Sequence, residues 1–203
     1  MNLKDQIQKS LAGDIDSFNQ IVLEYQSLVY NQAYRIMGEG DAAEDATQEA
    51  FISAFKKLHT YRGGSFKSWL LRIVSNACYD EHRRRKRKPV VPLFPENEDG
   101  EESDSPAWLE DKNEKPEDIT IRRELSDAIQ ICLDRLEFEF RTIVVLVDIQ
   151  GLDYQAAANI IDRPLGTIKS RLARARKSMK DCLQGFQELL PSEMRHVNEV
   201  LDQ

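Results

Sequence analysis

The sequence predicts an all-α protein of two small helical domains joined by a flexible acidic linker. Apolar residues recur at helical spacings of three and four on both sides of residue 89, and no alternating apolar pattern is sustained. Five of the seven prolines, Pro89, Pro92, Pro95, Pro106 and Pro116, fall within residues 89–118 beside the run Glu96-Asn97-Glu98-Asp99-Gly100-Glu101-Glu102-Ser103-Asp104. Such proline and like-charge density argues against a packed element. Near the C-terminus, a short alanine-rich helix meets a break at Asp162-Arg163-Pro164 and a second helix follows at once, the form of a helix-turn-helix. The expected organisation is a domain at 1–88, a linker at 89–118, a second domain at 119–183 and a tail at 184–203 to which no role is assigned.

The elements follow in order. Phe18, Ile21, Val22, Tyr25, Leu28, Val29, Ala33, Ile36 and Met37 keep helical spacing up to the stop signal Gly38-Glu39-Gly40. Asp41 with Glu44 reads as a capping box opening a helix to about Leu58, with Phe51, Ala54, Phe55 and Leu58 inward. A glycine-containing loop, Tyr61 to Phe66, leads to a third long helix that Ser68 can cap. Its apolar face is Trp69, Leu70, Ile73, Val74 and Ala77, and it runs into six cations, Arg83 to Lys88. Beyond the linker, Ile119–Leu136 and Phe140–Gln150 are periodic at helical spacing, although Thr142-Ile143-Val144-Val145 locally mimics a strand. Tyr154 to Ile161 and the segment after Pro164 complete the helix-turn-helix.

Charge and composition narrow the function. The net charge of −7 divides into +3 over residues 1–88, −9 over 89–118 and −1 over 119–203, so acidity is concentrated in the linker and local basic clusters remain. Cys78, Cys132 and Cys182 are isolated from one another, show no CxxC spacing and are read as reduced, packed thiols. His59, His82 and His196 form no ligand pattern, and no glycine-rich phosphate loop occurs. The expectation is no metal, no cofactor and no enzymatic activity. Lacking a long apolar run and an N-terminal signal pattern, the chain is expected to be cytoplasmic, without membrane insertion of its own.

Three surfaces carry candidate function. On the second helix of the helix-turn-helix, Ile168, Leu172, Ala175 and Met179 form an inward stripe, while Ser170, Ala173, Arg174 and Lys177 lie opposite, flanked by Lys169, Arg176 and Lys180. Arg and Lys can reach the O6/N7 edge of guanine or a phosphate, and Ser and Ala allow close approach in a major groove. On the third helix, Arg72, Asn76, Tyr79 and Arg83 align with Ser75 beside them, next to Arg84 and the loop residues Tyr61, Arg62 and Phe66. That mixture of amide, aromatic and guanidinium groups suits unstacked bases and phosphates. On the helix between, Asp45, Gln48, Glu49, Ile52 and Lys56 form an outward stripe whose isoleucine marks a surface for a protein partner.

Together these residues resemble a bacterial sigma factor of the small, two-domain extracytoplasmic-function (ECF, RpoE-like) class. Phe18 to Lys88 resembles that family's second conserved region. Within it, Asp41-Ala-Ala-Glu-Asp-Ala-Thr-Gln-Glu-Ala-Phe-Ile matches the segment that docks on the clamp helices of the polymerase largest subunit, which implies Asp45, Gln48, Glu49 and Ile52 as docking residues. Ser65-Phe-Lys-Ser-Trp-Leu-Leu-Arg-Ile-Val-Ser-Asn-Ala matches the part that melts and reads the −10 element. Leu125 to Leu183 resembles the fourth region, and Gly166-Thr-Ile-Lys-Ser-Arg-Leu-Ala-Arg-Ala-Arg its −35 recognition helix, which adds Thr167 and Arg171 to the DNA-facing candidates. Departures occur at Ala156-Ala157, where the family often has glutamate and isoleucine, and at Glu137 to Arg141 in place of a proline-bearing turn. The resemblance implies core RNA polymerase and promoter DNA as partners, with an anti-sigma factor as a third. A stand-alone helix-turn-helix regulator would explain residues 151–180 but leave the other two surfaces without a purpose. A recombinase or nuclease would need a spaced carboxylate set or a partnered nucleophile, and neither is present.

Overall fold

The computed structural model describes residues 2–87 and 116–189, and it is helical in both stretches, with no strand among the described residues. The helices are α1 (Leu3–Leu11), α2 (Ile15–Met37), α3 (Gly40–Lys57), α4 (Phe66–Arg87), α5 (Pro116–Asp134), α6 (Phe138–Val144), α7 (Tyr154–Ile161) and α8 (Leu165–Leu183). Short 3-10 stretches follow α3 at Leu58–Thr60 and α8 at Gln184–Leu189. Of the expected linker, only 116–118 lie within the described residues, in the first turn of α5, and of the expected tail only 184–189.

Helix α1 was not among the expected elements. Nine residues are too few for periodicity to stand out, yet the Asn2 side chain accepts the Lys4 N–H and Ile7 is buried against the bundle. Asp14 caps α2 by accepting from the N–H groups of Asp16 and Ser17, and the Ser17 hydroxyl also donates to it. That hydroxyl bond, with the backbone bond beside it, holds the Asp14 carboxyl below the ordinary carboxylate range. Helix α3 differs from its expected start. It opens at Gly40 with no side-chain cap and with Glu39, in the capping position, ion-paired with Arg85, so Asp41 lies inside the first turn and does not form a capping box with Glu44. Ala42, Ala43, Ala46, Ala50 and Ala54 bury one face of α3, and these small side chains let it approach both α2 and α4 closely.

Helix α4 is capped by Ser65, whose hydroxyl accepts the Ser68 N–H at 3.1 Å, so Ser68 is the capped residue and not the cap. Ser75 also departs from its expected place beside the exposed row. It is fully buried and receives a hydrogen bond from Gln32 Nε2 at 2.7 Å, while the same amide donates to the Leu71 carbonyl at 3.2 Å. These bonds pin α2 to α4 inside the core, where an unsatisfied amide donor would be costly.

In the second half, Thr142–Val147 is buried on all sides, which explains a β-branched run inside a helix: tertiary packing overrides local preference. The chain winds wider after α6, and Gln150 donates to the Val145 carbonyl five residues back at 2.9 Å. Asp153 caps α7 by accepting the Ala156 N–H at 2.7 Å, and α7 ends at Asp162 in the left-handed region, with Pro164 immediately before α8. Packing of α8 on α5 joins Cys132 to Cys182 in a disulfide, correcting the expectation of three separate thiols. Fifty residues separate the pair, a loop whose closure stabilises the folded state by about 4 kcal/mol in the chain-entropy account. Cys78 remains a free thiol, and burial pushes its pKa up to about 12.

The two halves touch, where a tether alone was expected. Arg35 of α2 donates to the Ser126 carbonyl (2.9 Å), the Ser126 hydroxyl (2.6 Å) and Gln130 Oε1 (3.2 Å) of α5. Arg141 of α6 donates to Asp134 at 2.8 Å and to the Ile36 carbonyl at 3.2 Å. Phe138 stacks on His82 at 3.9 Å and meets Tyr79 edge-on at 5.0 Å. Burial, then Lys86 and Arg141, lowers the His82 pKa, so the contact favours the neutral imidazole. Gly38, which ends α2 at φ +81°, sits against this seam: a Cβ there would lie 2.5 Å from Asp134 Oδ1 and 3.0 Å from Arg141 Nη1. Gly38→Ala is therefore expected to lower stability by about 1–3 kcal/mol in denaturant melts. Gly13→Ala, at φ +97° with nothing within 4 Å of the added Cβ, carries the backbone strain alone and should cost less. Equal losses for the two would show that the crowding at Gly38 is relieved without cost.

Candidate nucleic-acid interface

Helix α8 is held by Ile168, Leu172 and Ala175, all buried, with Met179 half-buried behind them. The helical phase this sets leaves Lys169, Ser170, Ala173, Arg174 and Lys177 exposed, and Thr167 half-buried at the start of the helix. Among the described residues, Lys169, Arg174 and Lys177 make no ion pair, so three cations face solvent on one side. The Ser170 hydroxyl donates back to the Thr167 carbonyl at 3.1 Å and keeps a low profile between them.

Two basic residues of the expected set are used internally. Arg171 is half-buried, ion-paired with Glu139 and set 5.9 Å from the centre of the Phe140 ring, so it braces α8 against α6. Arg176 donates to both carboxylate oxygens of Asp148, at 3.0 and 2.6 Å, and that pair raises its pKa further. Arg163, in the turn between the helices, also pairs with Glu139, at 2.9 Å. Glu139 and Asp148 lie outside the α8 sequence, so neither the helical phase that put Arg176 beside the exposed face nor the resemblance that added Arg171 could show that both arginines are engaged.

On α4, Arg72, Asn76 and Arg83 are exposed along one row. Arg83 lies 3.6 Å from Asp80, an open surface pair of little energetic weight. Tyr79 belongs to the same row by phase but is half-buried under Phe138, and burial, then Glu139, pushes its pKa up to about 12. Arg84 donates to Glu81 at 2.7 Å and to Asp45 at 3.1 Å, tying the end of α4 to α3. Burial acts to raise the Glu81 pKa, but hydrogen bonds from Arg84 and Arg85 outweigh it and hold the carboxyl below its ordinary range.

The loop before α4 turns at Gly63 and Gly64, both in the left-handed region, and the Tyr61 hydroxyl closes it by donating to the Gly64 carbonyl at 2.7 Å. Arg62 is exposed at its tip. Phe66 is only 4% exposed and is ringed by Tyr25, Tyr61 and Trp69 at centroid distances of 5.2–5.3 Å, so it supports the cluster and cannot itself stack on a base. Tyr61 and Trp69, both half-buried and 5.7 Å apart, are the outer rings. Trp69 had been placed on the apolar face, and Tyr25 lies more than thirty residues from this loop, so sequence spacing did not bring either to the site.

On α3, Asp45, Gln48, Glu49 and Ile52 are all exposed on one face, with Ile52 at 48%. Phe55, expected inward, is 43% exposed and meets Phe18 edge-on at 5.0 Å, which extends the apolar part of this face by one helical turn. Its distance of three residues from Ile52 is the signal that could have placed it there. No helix among the described residues is long and apolar enough to cross a membrane.

Residues 21–88 match the family model for Sigma-70 region 2, and residues 126–179 that for Sigma-70 region 4. The chain is 34% identical over 185 residues to the ECF RNA polymerase sigma factor SigW of Bacillus subtilis, covering 91% of this chain and 98% of that protein. It is 38% identical over 167 residues to the ECF RNA polymerase sigma factor SigE of Mycolicibacterium smegmatis, covering 82% of this chain and 62% of that longer relative. Among solved structures, the sigma factor RpoE of Bartonella quintana, in complex with the anti-sigma factor NepR, matches at TM-score 0.60 and 26% identity over 82% of this chain and 96% of that one. CnrH, in complex with the cytosolic domain of CnrY, shares the fold at TM-score 0.57 and 21% identity over 89% and 96% of the two chains. With both regions matched in order, and with SigW of Bacillus subtilis aligned over 98% of its length, the chain belongs to the family of ECF RNA polymerase sigma factors.

Proposed function

We propose that this chain binds core RNA polymerase and directs it to a two-part promoter, where it recognises DNA, assists melting and starts transcription. The observation that carries this reading is the coexistence of two surfaces in one molecule. One is the unpaired cationic face of α8 in a helix-turn-helix, and the other the exposed carboxylate-and-isoleucine face of α3. A DNA-binding regulator needs only the first.

In this mechanism Lys169 and Arg174 read base edges of duplex −35 DNA, Lys177 contacts phosphate, and Thr167, Ser170 and Ala173 permit close approach. Arg171 and Arg176 hold α8 in place through Glu139 and Asp148. At the −10 element, Arg62, Arg72, Asn76 and Arg83 supply donors around an unstacked base, with Tyr61 and Trp69 as stacking faces. Extruding a base costs a few kcal/mol, and stacking returns roughly 1–3 kcal/mol per base, so phosphate contacts from the α4 cations complete the balance. Tyr79 and Arg84 join this surface only after Phe138 and Asp45 release them. Asp45, Gln48, Glu49, Ile52 and Phe55 dock on the clamp helices of the polymerase largest subunit. The chemistry of transcription belongs to the polymerase, and the chain acts by binding, in the cytoplasm. By extension from relatives seen in complex with anti-sigma factors, we propose such a partner here as well.

The test is co-elution of the purified chain with core polymerase, followed by run-off transcription from a library of genomic fragments. Defined transcripts that need both components support the reading. DNA binding without co-elution would leave a stand-alone regulator.

A further inference from the structure

The promoter recognition proposed above makes no use of the Cys132–Cys182 disulfide. Helix α5 is held on two sides. One face carries Ser126 and Gln130, which accept the Arg35 guanidinium, and Asp134, which holds Arg141 against the end of α2. On the helical wheel Cys132 lies nearly opposite that face, and its bond to Cys182 fastens α5 to the last turn of α8. So α5 is a strut between the recognition helix and the N-terminal half, covalent at one side and hydrogen-bonded at the other. The contact it supports also brings Phe138 over Tyr79.

The two sulfurs differ in access. Cys132 is buried, at 1% exposure, whereas Cys182 is partly exposed at the end of α8. An incoming thiolate therefore reaches Cys182 first. Cys78 lies fully buried in the other half, and its raised pKa keeps it a protonated thiol that takes no part.

We propose that Cys132–Cys182 is a thiol–disulfide exchange site whose oxidation state sets how firmly the two halves of the chain close on one another. The reductant is a dithiol. Its thiolate attacks the Cys182 sulfur, the Cys132 sulfur leaves as thiolate and takes up a proton, and the second thiol of the reductant displaces Cys182 from the mixed disulfide. Two electrons and two protons pass to the chain, which gains two thiols, and the reductant becomes a cyclic disulfide. In the oxidised chain α5 and α8 move as one body, so Ser126, Gln130, Asp134 and Phe138 are presented together to α2 and α4. Reduction lets α5 shift independently of α8, the contacts no longer form as a set, and Tyr79 is uncovered more often. The consequence for promoter DNA rests on the function proposed above, while closure itself does not.

The full-length chain, oxidised or treated with dithiothreitol, is alkylated without denaturant and weighed, and amide exchange is followed over residues 34–38 and 138–141. Reduction should add an alkyl group at Cys182 first, then at Cys132 as α5 shifts, and none at Cys78, and should speed exchange in both segments at least about fivefold, the lower end of ordinary coupling between sites. Cys132→Ala/Cys182→Ala should exchange at the faster rate with or without dithiothreitol. Arg35→Ala should also exchange faster while its disulfide stays intact, and unchanged exchange in that variant would overturn the closed contact itself. A bond that resists dithiothreitol would overturn the proposal, and so would one that opens with no change in exchange. Faster exchange with unchanged permanganate reactivity at the −10 element would support the switch and count against the −10 role proposed for Tyr79 instead.

Discussion

Asp45→Lys/Glu49→Lys is expected to abolish binding to core RNA polymerase while leaving the helical fold intact. The two carboxylates are one turn apart on α3 and both exposed, with Gln48 and Ile52 completing the face. On the docking proposed above, basic groups are expected opposite on the clamp helices, so reversal would replace attraction by like-charge contact. The fold should tolerate it. Asp45 does pair with Arg84 at 3.1 Å, but both side chains are more than half exposed, and a solvent-screened pair of that kind adds little to stability. Among the described residues, Glu49 accepts only from the Ser53 hydroxyl, at 3.2 Å on the surface. Arg85 still pairs with Glu39 at the start of α3, so loss of Asp45 leaves the end of α4 anchored. Co-elution measures core binding, circular dichroism the fold, and affinity for −35 duplex should stay at its original value. The single Glu49→Lys variant separates the docking effect from any disturbance at Arg84. A folded double variant that still co-elutes at wild-type affinity would remove the docking site.

Lys169→Ala or Arg174→Ala should each weaken binding to −35 duplex by about 1–3 kcal/mol and relax specificity at the base it contacts. These two side chains project from the exposed face of α8, next to Ser170 and Ala173. Lys177→Ala should instead weaken all sequences alike and lower the slope of log affinity against log salt by about one. Arg176→Ala is expected to differ in kind, since its guanidinium is committed to Asp148: the loss should fall on the melting of the C-terminal half more than on base preference. Titrations of duplex DNA at several salt concentrations, with every base pair of the site varied in turn, distinguish these outcomes. Unchanged preference in both Lys169→Ala and Arg174→Ala would rule out α8 as the reading helix.

The helix-turn-helix was legible because its evidence is local. The α7 bounds, the break at Asp162 and Pro164, and the inward stripe Ile168, Leu172 and Ala175 all follow from spacing and from what proline and left-handed residues do to a helix. The same holds for the α3 face bearing Asp45 and Glu49, which helical phase turns outward. Caps were less legible. Ser65 and Ser68 are both sound caps by type, and α3 begins at Gly40, one residue before the cap that Asp41 was expected to provide. Residues at the border of a face were the hardest, because phase leaves them undetermined: Phe55 turned out and Phe66 in.

By itself, then, the sequence determined the all-helical class, the order of the long helices, the family and the rows of residues that face solvent, since periodicity and chain punctuation act within a turn or two. Only the tertiary structure decided which of those residues are already engaged. Arg171 and Arg176 meet Glu139 and Asp148, Tyr79 meets Phe138, Arg35 meets Ser126 and Gln130, and Cys132 meets Cys182. Each partner lies between 28 and 95 residues away in the chain. No spacing rule spans such a distance, because the partner is chosen by how whole helices pack and not by the phase of any one of them.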